Sequence, residues 1–290
     1  MLADRKIGPG PSGVVNVAIQ AADDLNRFVE ICFARVGFSR QAKRIVTLKH
    51  TLKNEQEQAE TEAHYQEHLK QAAELEQFLE VHCKSGFPYL YCLVSLRLWS
   101  ILETLIKDLA QEMLIAFPEL QSNDTLKALK GPLLPFLASS PSEQAAVILK
   151  LLEKDLSSSQ YQIGIARFEL LLERFGMSGG VDPLVKRTLL ELWAVRNVVA
   201  HKNGVADPRF IEVCPWFVAT VGMQLSVSPL DFSRYRVASI WYIAEISRRL
   251  LVAYPKHASK DEAPLGEWEQ ILQTSLQTLQ ELAGQKSARD

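Results

Sequence analysis

The chain has 290 residues, of which 47% are apolar and 23% charged, with a formal net charge of −2. These values exclude a mini-protein stapled by disulfides or metal and a wholly disordered chain, and they leave room for one or two domains. No global basic field is present, so a nucleic-acid partner would have to engage a local basic patch.

At the N-terminus, Arg5 and Lys6 precede the apolar run Val14-Val15-Asn16-Val17-Ala18-Ile19. Gly8-Pro9-Gly10-Pro11 and the polar Asn16 and Gln20 do not suit a secretory signal, so residues 1–13 are read as a loose leader. Apolar positions Val17, Ala21, Leu25, Phe28, Val29, Cys32 and Val36 recur three and four apart and predict a helix over 14–37. Residues 41–83 are charged and rich in Glu and Gln, with almost no apolar anchor over 53–68. They predict a solvated helix or helical arm, broken by Ser85-Gly86-Phe87-Pro88.

Tyr89 to Met113 is a strongly apolar helix with Cys92, Leu96, Trp99, Leu102, Ile106, Leu109 and Met113 on one stripe. Phe117-Pro118 and Gly131-Pro132 mark a connection. Ser140, Pro141 and Glu143 form a capping-box signature that starts a helix running to about Leu156. A further helix is expected over 161–175, ended by Gly176 and the turn Ser178-Gly179-Gly180. Asp182-Pro183 opens the next, which runs to about His201 and stops at Asn203-Gly204. Residues 213–232 hold the only β pattern, a small hairpin in which 217–221 and 224–227 flank Gly222-Met223. Residues 230–253 and 265–283 are two more amphipathic helices. The uninterrupted apolar runs fall short of the ~18–20 residues of a membrane span, and none is expected.

Cys32, Cys83, Cys92 and Cys214 form no CxxC pair and read as reduced, mostly buried thiols of a cytoplasmic protein. His64 and His68 are i, i+4 neighbours that could share a metal or simply line a solvated face with Glu60, Glu62 and Glu67. No third ligand is implied, so no metal is expected there. There is no Gly-rich phosphate loop and no GxSxG, and no cofactor is expected.

One stretch carries chemistry: Arg196-Asn197-Val198-Val199-Ala200-His201. Arg196 and Asn197 interrupt the apolar pattern of Leu189, Leu192, Trp193, Val195, Val198 and Val199. His201 falls in the last helical turn, where the dipole favours a cation, and imidazole moves protons near neutrality. Arg196 offers a planar fork for phosphate oxygens. These are the groups needed for metal-free RNA cleavage, in which the 2′-hydroxyl attacks phosphorus and arginine stabilises the pentavalent dianion. Asn197 and His201 share a face, but Arg196 and His201 lie about 140° apart at 3.6 residues per turn. They are expected to converge only through a distorted helix end or a second copy of the motif. A second Arg-to-His spacing, Arg44 to His50, sits on the charged arm and lacks the polar residue after arginine.

Residues 188–210 resemble the signature of the HEPN superfamily: an arginine, usually followed by a polar residue, then a histidine after four to six positions. Leu96–Ile106 is similar to the first core helix of its larger families. Gly222, Leu225-Ser226-Val227 and Phe232-x-x-Tyr235 are similar to their hairpin and last helix. The resemblance spans about 87–255. It implies an all-α, HEPN-like helical bundle with a small β-hairpin insertion; the helical extension over 1–86 and the amphipathic helix and tail over 256–290 are read from periodicity alone and lie outside the resemblance.

The resemblance further implies a metal-independent endoribonuclease, a homodimer in which two motifs meet, and a role as toxin or anti-phage effector with an antitoxin or regulatory partner. Arg196 and His201 would be catalytic and Asn197 supporting. Glu103, on or beside the stripe of its helix, would pair with Arg196, or alternatively reach solvent or Lys107. Lys186, Arg187, Lys202 and Arg209 flank the motif as a candidate RNA patch. Trp193 and Trp216 could stack on bases, though helical spacing suits Trp193 to a core role. Val198, Val199, Val205 and Phe210 are candidates for a dimer interface. The alternative reading is a non-catalytic module binding a protein or nucleotide. A solvent-reachable His201 beside Arg196 in a cleft separates the first reading from the second.

Overall fold

The structure is a computed structural model that describes residues 10–117, 120, 130, 133–157, 163–255 and 263–288. The fold is all-α. Among the described residues there are eleven helices: α1 (Pro11–Ser39), α2 (Ala42–Thr51), α3 (Glu55–Lys84), α4 (Pro88–Ala116), α5 (Leu133–Ala138), α6 (Pro141–Ser157), α7 (Ala166–Arg174), α8 (Pro183–His201), α9 (Pro208–Val213), α10 (Pro229–Ala253) and α11 (Leu265–Ser287). Residues 1–9 of the leader expected over 1–13, most of the connection between Phe117 and Gly131, and the first residues of the helix expected from 161 lie outside the described residues; residues 11–13 are not leader but the first turn of α1.

Helix α4 is the axis of the bundle. It packs against α1, α6, α7, α8 and α10. Its stripe residues Leu98, Leu102, Leu109 and Met113 are wholly buried, and each contributes about 1.5–3 kcal/mol of burial free energy. By length and composition α4 is long and apolar enough to cross a membrane, and 56% of its 18-residue apolar window is buried within the bundle. Pro88 at the first position and Phe87 at φ 54°, after Gly86 at φ 74°, reverse the chain between α3 and α4.

The arm expected over 41–83 is broken. Asn54 accepts from the Glu57 amide at 2.8 Å while Glu57 accepts from the Asn54 amide, a capping box that starts α3 afresh. Helix α2 then lies antiparallel along α3, with Lys43 at Glu76 (3.6 Å) and His50 at Glu62 (3.3 Å). This hairpin buries little: α2 has no buried residue. His50 stacks on Tyr65 at 3.9 Å between ring centroids, which accounts for the second Arg-to-His spacing without any chemistry.

The core ignores the boundary drawn at residue 86. Val15, Ala18, Ile19 and Val29 of α1 and Trp268 and Leu279 of α11 belong to the same apolar cluster as α4, α8 and α10. Helix α11 packs along α10. Helices α6 and α8 begin where the sequence marks them, with Ser140 and Asp182 each accepting from amides of the following turn, and Ser228 caps α10 in the same way.

The hairpin is the clearest departure. Residues 217–221 and 224–227 do not pair with each other. A turn closes at Thr220–Met223 (3.0 Å), and the descending segment bonds instead to the chain that leaves α8. Ala206 N donates to Met223 O, Leu225 N to Gly204 O, and Val205 and Gln224 form a single antiparallel bridge. The alternation of Gln224-Leu225-Ser226-Val227 was real, since Leu225 and Val227 are buried. Only its partner was misassigned.

Candidate active site at the end of α8

Helix α8 buries Val185, Leu189, Leu192, Val195 and Val198 against α4 and α10. Asn197 and His201 point away from that buried face, while Arg196 leaves the helix on the α4 side, where it meets Glu103. The helix ends with Asn203 at φ 52° and Gly204 at φ 77°, and both Lys202 N and Gly204 N donate to Val198 O (2.9 and 3.0 Å). A side chain at Gly204 would collide with the Gln224 amide, which itself donates to Asn203 O at 3.3 Å. The turn below His201 is therefore held from behind by the 223–225 segment.

The four residues assigned to catalysis meet here. The half-buried Arg196 guanidinium donates through Nη1 to Asn197 Oδ1 at 3.0 Å and through Nη2 to Glu103 Oε2 at 3.3 Å. Nη1 also lies 3.5 Å from His201 Nε2, the outer limit of a hydrogen bond. If arginine donates in that contact, the imidazole is neutral with its proton on Nδ1. Glu103 reaches across from α4. Lys107, its alternative partner, pairs with Glu153 instead at 3.2 Å.

The expectation that Arg196 and His201 diverge is corrected. The 140° separation describes the directions in which the two side chains leave the helix. Arginine has enough rotatable bonds to fold back along the axis to the histidine one turn on. Both groups therefore converge within one chain, with no distortion of the helix and no second copy.

His201 is exposed and borders a groove of about 280 Å³ between α8 and α9. Trp193, Asn197 and His201 form one wall, Arg209, Phe210 and Val213 the other, and Lys202 and Asp207 close the ends. Sequence reading missed this groove because it missed α9. Asp207, whose carboxylate accepts from Phe210 N at 2.9 Å, and Pro208 at the first position were the available signals.

The proposed basic patch is not assembled. Lys202 and Arg209 lie at the groove, but Lys186 and Arg187 are at the other end of α8, about 22 Å away at 1.5 Å per residue. Arg187 lies 4.5 Å over the Trp216 ring, and Lys186 lines a separate cavity with Glu169 and Gly179. Two of the proposed interface residues are also corrected: Val198 and Phe210 are 3% exposed and serve the core. Val218, Val221 and Met223, on the loop beside the site, are the exposed apolar residues of this end.

A second unforeseen feature lies one helical turn above Arg196. Glu191 is fully buried and accepts from Tyr235 (2.8 Å), Arg234 (3.1 Å), Trp216 Nε1 (2.8 Å) and Lys286 (3.3 Å). Lys286 also reaches Asp231 at 2.7 Å. Burial would raise Asp231, but the bonds from Lys286 and Ser228 hold its carboxyl below the usual range. Beside this cluster, burial and the charge of Glu191 push the Cys214 thiol up to about 12. Cys214 is thus a protonated, inert thiol. All four cysteines are free, and the His64 and His68 rings sit 6.5 Å apart on α3, away from this end.

No family model, no characterised protein and no solved structure matches the chain.

Proposed function

We propose that the chain is a metal-independent endoribonuclease of the HEPN type. The observation that supports this most directly is the array Glu103–Arg196–Asn197–His201, with an exposed imidazole at the mouth of a groove. Neutral His201 would take the proton of a ribose 2′-hydroxyl. The 2′-oxygen would bond to the adjacent phosphorus, and the P–O5′ bond would break as the 5′-oxygen gains a proton from an imidazolium. Arg196 would donate to the oxygens that gain charge on the way. Glu103 and Asn197 do not move protons in this scheme. They fix the guanidinium fork so that it needs no reorganisation as the dianion forms.

A single histidine must be neutral for the first transfer and charged for the second. Two copies of His201, one from each subunit of a homodimer, would divide the labour. The motive for a dimer is thus reach rather than divergent side chains: the imidazole that takes the 2′-proton is charged afterwards, but in-line attack puts the leaving 5′-oxygen on the far side of phosphorus. A cytoplasmic setting, a toxin or defence role and a regulatory or antitoxin partner belong to the same proposal and rest on the motif's resemblance.

One observation favours a second reading. Arg196 already has three partners, so its network could serve only to tie α8 to α4 in a module that binds a protein or nucleotide. The test is to incubate purified protein and its His201→Ala variant with mixed RNA in EDTA. The enzyme reading expects chelator-resistant cleavage lost in the variant, products with 2′,3′-cyclic phosphate and 5′-hydroxyl ends, and inert DNA. Cleavage abolished by EDTA, or 5′-phosphate ends, would overturn it.

A further inference from the structure

Two arginine–tryptophan pairs occur on α8 and its neighbours, and they differ in a way that assigns a task to one of them. In the first, Trp216 donates its indole N–H to Glu191 at 2.8 Å and Arg187 covers the ring at 4.5 Å. That pair is closed, with the polar edge satisfied and the face covered. In the second, Arg209 stands 5.8 Å from the centroid of Trp193, near the outer limit of a cation–π contact. Among the described residues Arg209 has no carboxylate partner and the Trp193 N–H has no acceptor. Both side chains of this looser pair line the groove that His201 and Asn197 border.

We propose that the groove seats the nucleobase next to the scissile phosphate, with Trp193 as its stacking platform and Arg209 as its cover. This rests on the ribonuclease reading, since it takes Arg196 and His201 to hold the phosphate. The buried Phe210 and the half-buried Val213 make an apolar boundary that suits a ring, and Lys202 and Arg209 supply charge for the flanking phosphates. The Asn197 amide and the Asp207 carboxylate also line the groove, their Oδ1 atoms bonded to Arg196 and to the Phe210 amide. The substrate class follows: unpaired RNA, because a base inside a duplex already has both faces stacked and cannot offer one to a tryptophan.

The probe is a short 2′-O-methyl oligoribonucleotide, which cannot undergo 2′-hydroxyl attack, together with a set carrying one abasic residue at successive positions. Affinity is read by anisotropy, and stacking by quenching of tryptophan fluorescence. Stacking on one ring is expected to make one abasic position cost about tenfold or more in affinity. That penalty should vanish in Trp193→Leu and persist in Trp193→Phe, while the quenching should be lost in both. Should Trp193→Leu not fold, the abasic scan on the native chain and the quenching lost in Trp193→Phe still decide the matter.

Equal affinity at every abasic position, or an unchanged penalty in Trp193→Leu, overturns the groove proposal. If unmodified RNA is still cleaved in that case, the ribonuclease reading stands alone. A position-specific penalty with quenching but no cleavage of unmodified RNA upholds the groove and removes the ribonuclease. Absence of any binding to the oligonucleotide overturns the groove proposal, and absence of cleavage of unmodified RNA as well removes both.

Discussion

Arg196 is the residue on which the site turns, because one guanidinium contacts Glu103, Asn197 and His201 together. Arg196→Lys keeps the charge but cannot hold three partners in one plane. It should fold as the native chain does and lower kcat by about 10²–10³, the usual cost of losing a transition-state donor. Single-turnover cleavage beside circular dichroism checks this, and near-native cleavage would reduce Arg196 to a point charge. The choice of Arg196, His201 and Asn197 was legible because polar residues broke an apolar stripe at the end of a helix. The pairing with Glu103 was legible for the same reason, a carboxylate beside a buried face. The contact between Arg196 and His201 was not, because a helical wheel records where a side chain starts and not how far it reaches. Trp193 was read as core from its spacing. It does pack there, but the same ring also lines the groove, and a one-dimensional pattern cannot express both.

Helix α11 is secured at its far end by a charge cluster rather than by apolar packing alone. Lys286 bridges Glu191 on α8 and Asp231 on α10. Asp231 is held below its ordinary value despite its burial, and Glu245 behaves likewise: burial raises it, while the bonds from Arg248 and Arg249 outweigh that. A carboxyl depressed in the folded state stabilises it fully above the unfolded value of about 4, and that contribution disappears as pH falls through the folded value. Stability measured by urea midpoint should therefore be level above about pH 5 and decline below about pH 4. Asp231→Asn, which can still cap α10, should lower the plateau and flatten the acid limb. An unchanged limb would mean that the cluster does not couple to folding. None of this was visible in the sequence, where Glu191, Asp231 and Lys286 are far apart and each looks like ordinary surface charge. The same limit explains the misplaced hairpin. Alternation revealed that Leu225 and Val227 face inward, yet the segment that accepts the Leu225 amide comes from the end of α8, before the turn rather than within it. By contrast, helix starts were read well, since caps such as Ser140 and Asp182 act over three residues.

At the scale of the whole molecule, the sequence suggested an extension, a domain and a tail, whereas the structure has one core to which α1 and α11 both contribute. Among the described residues, the α2–α3 hairpin and α5 contribute none to it. Assembly is the level at which a composite site must be tested. Mixing native subunits with His201→Ala subunits, and allowing exchange, should lower activity more steeply than the native fraction falls. Activity strictly proportional to that fraction would assign both proton transfers to one chain. The loop carrying Val218, Val221 and Met223, exposed beside the motif, is where such a partner would find apolar surface.

The position of Glu103 has one further consequence. It projects from α4, the helix that five others enclose, while His201 stands in the final turn of α8, among exposed residues 200–203. In amide hydrogen exchange, the backbone of α4 should open only with global unfolding, whereas the amides around 201–205 should exchange through local fraying. The two walls of the site thus belong to different stability classes. An entering strand meets one wall that holds its place and one that yields.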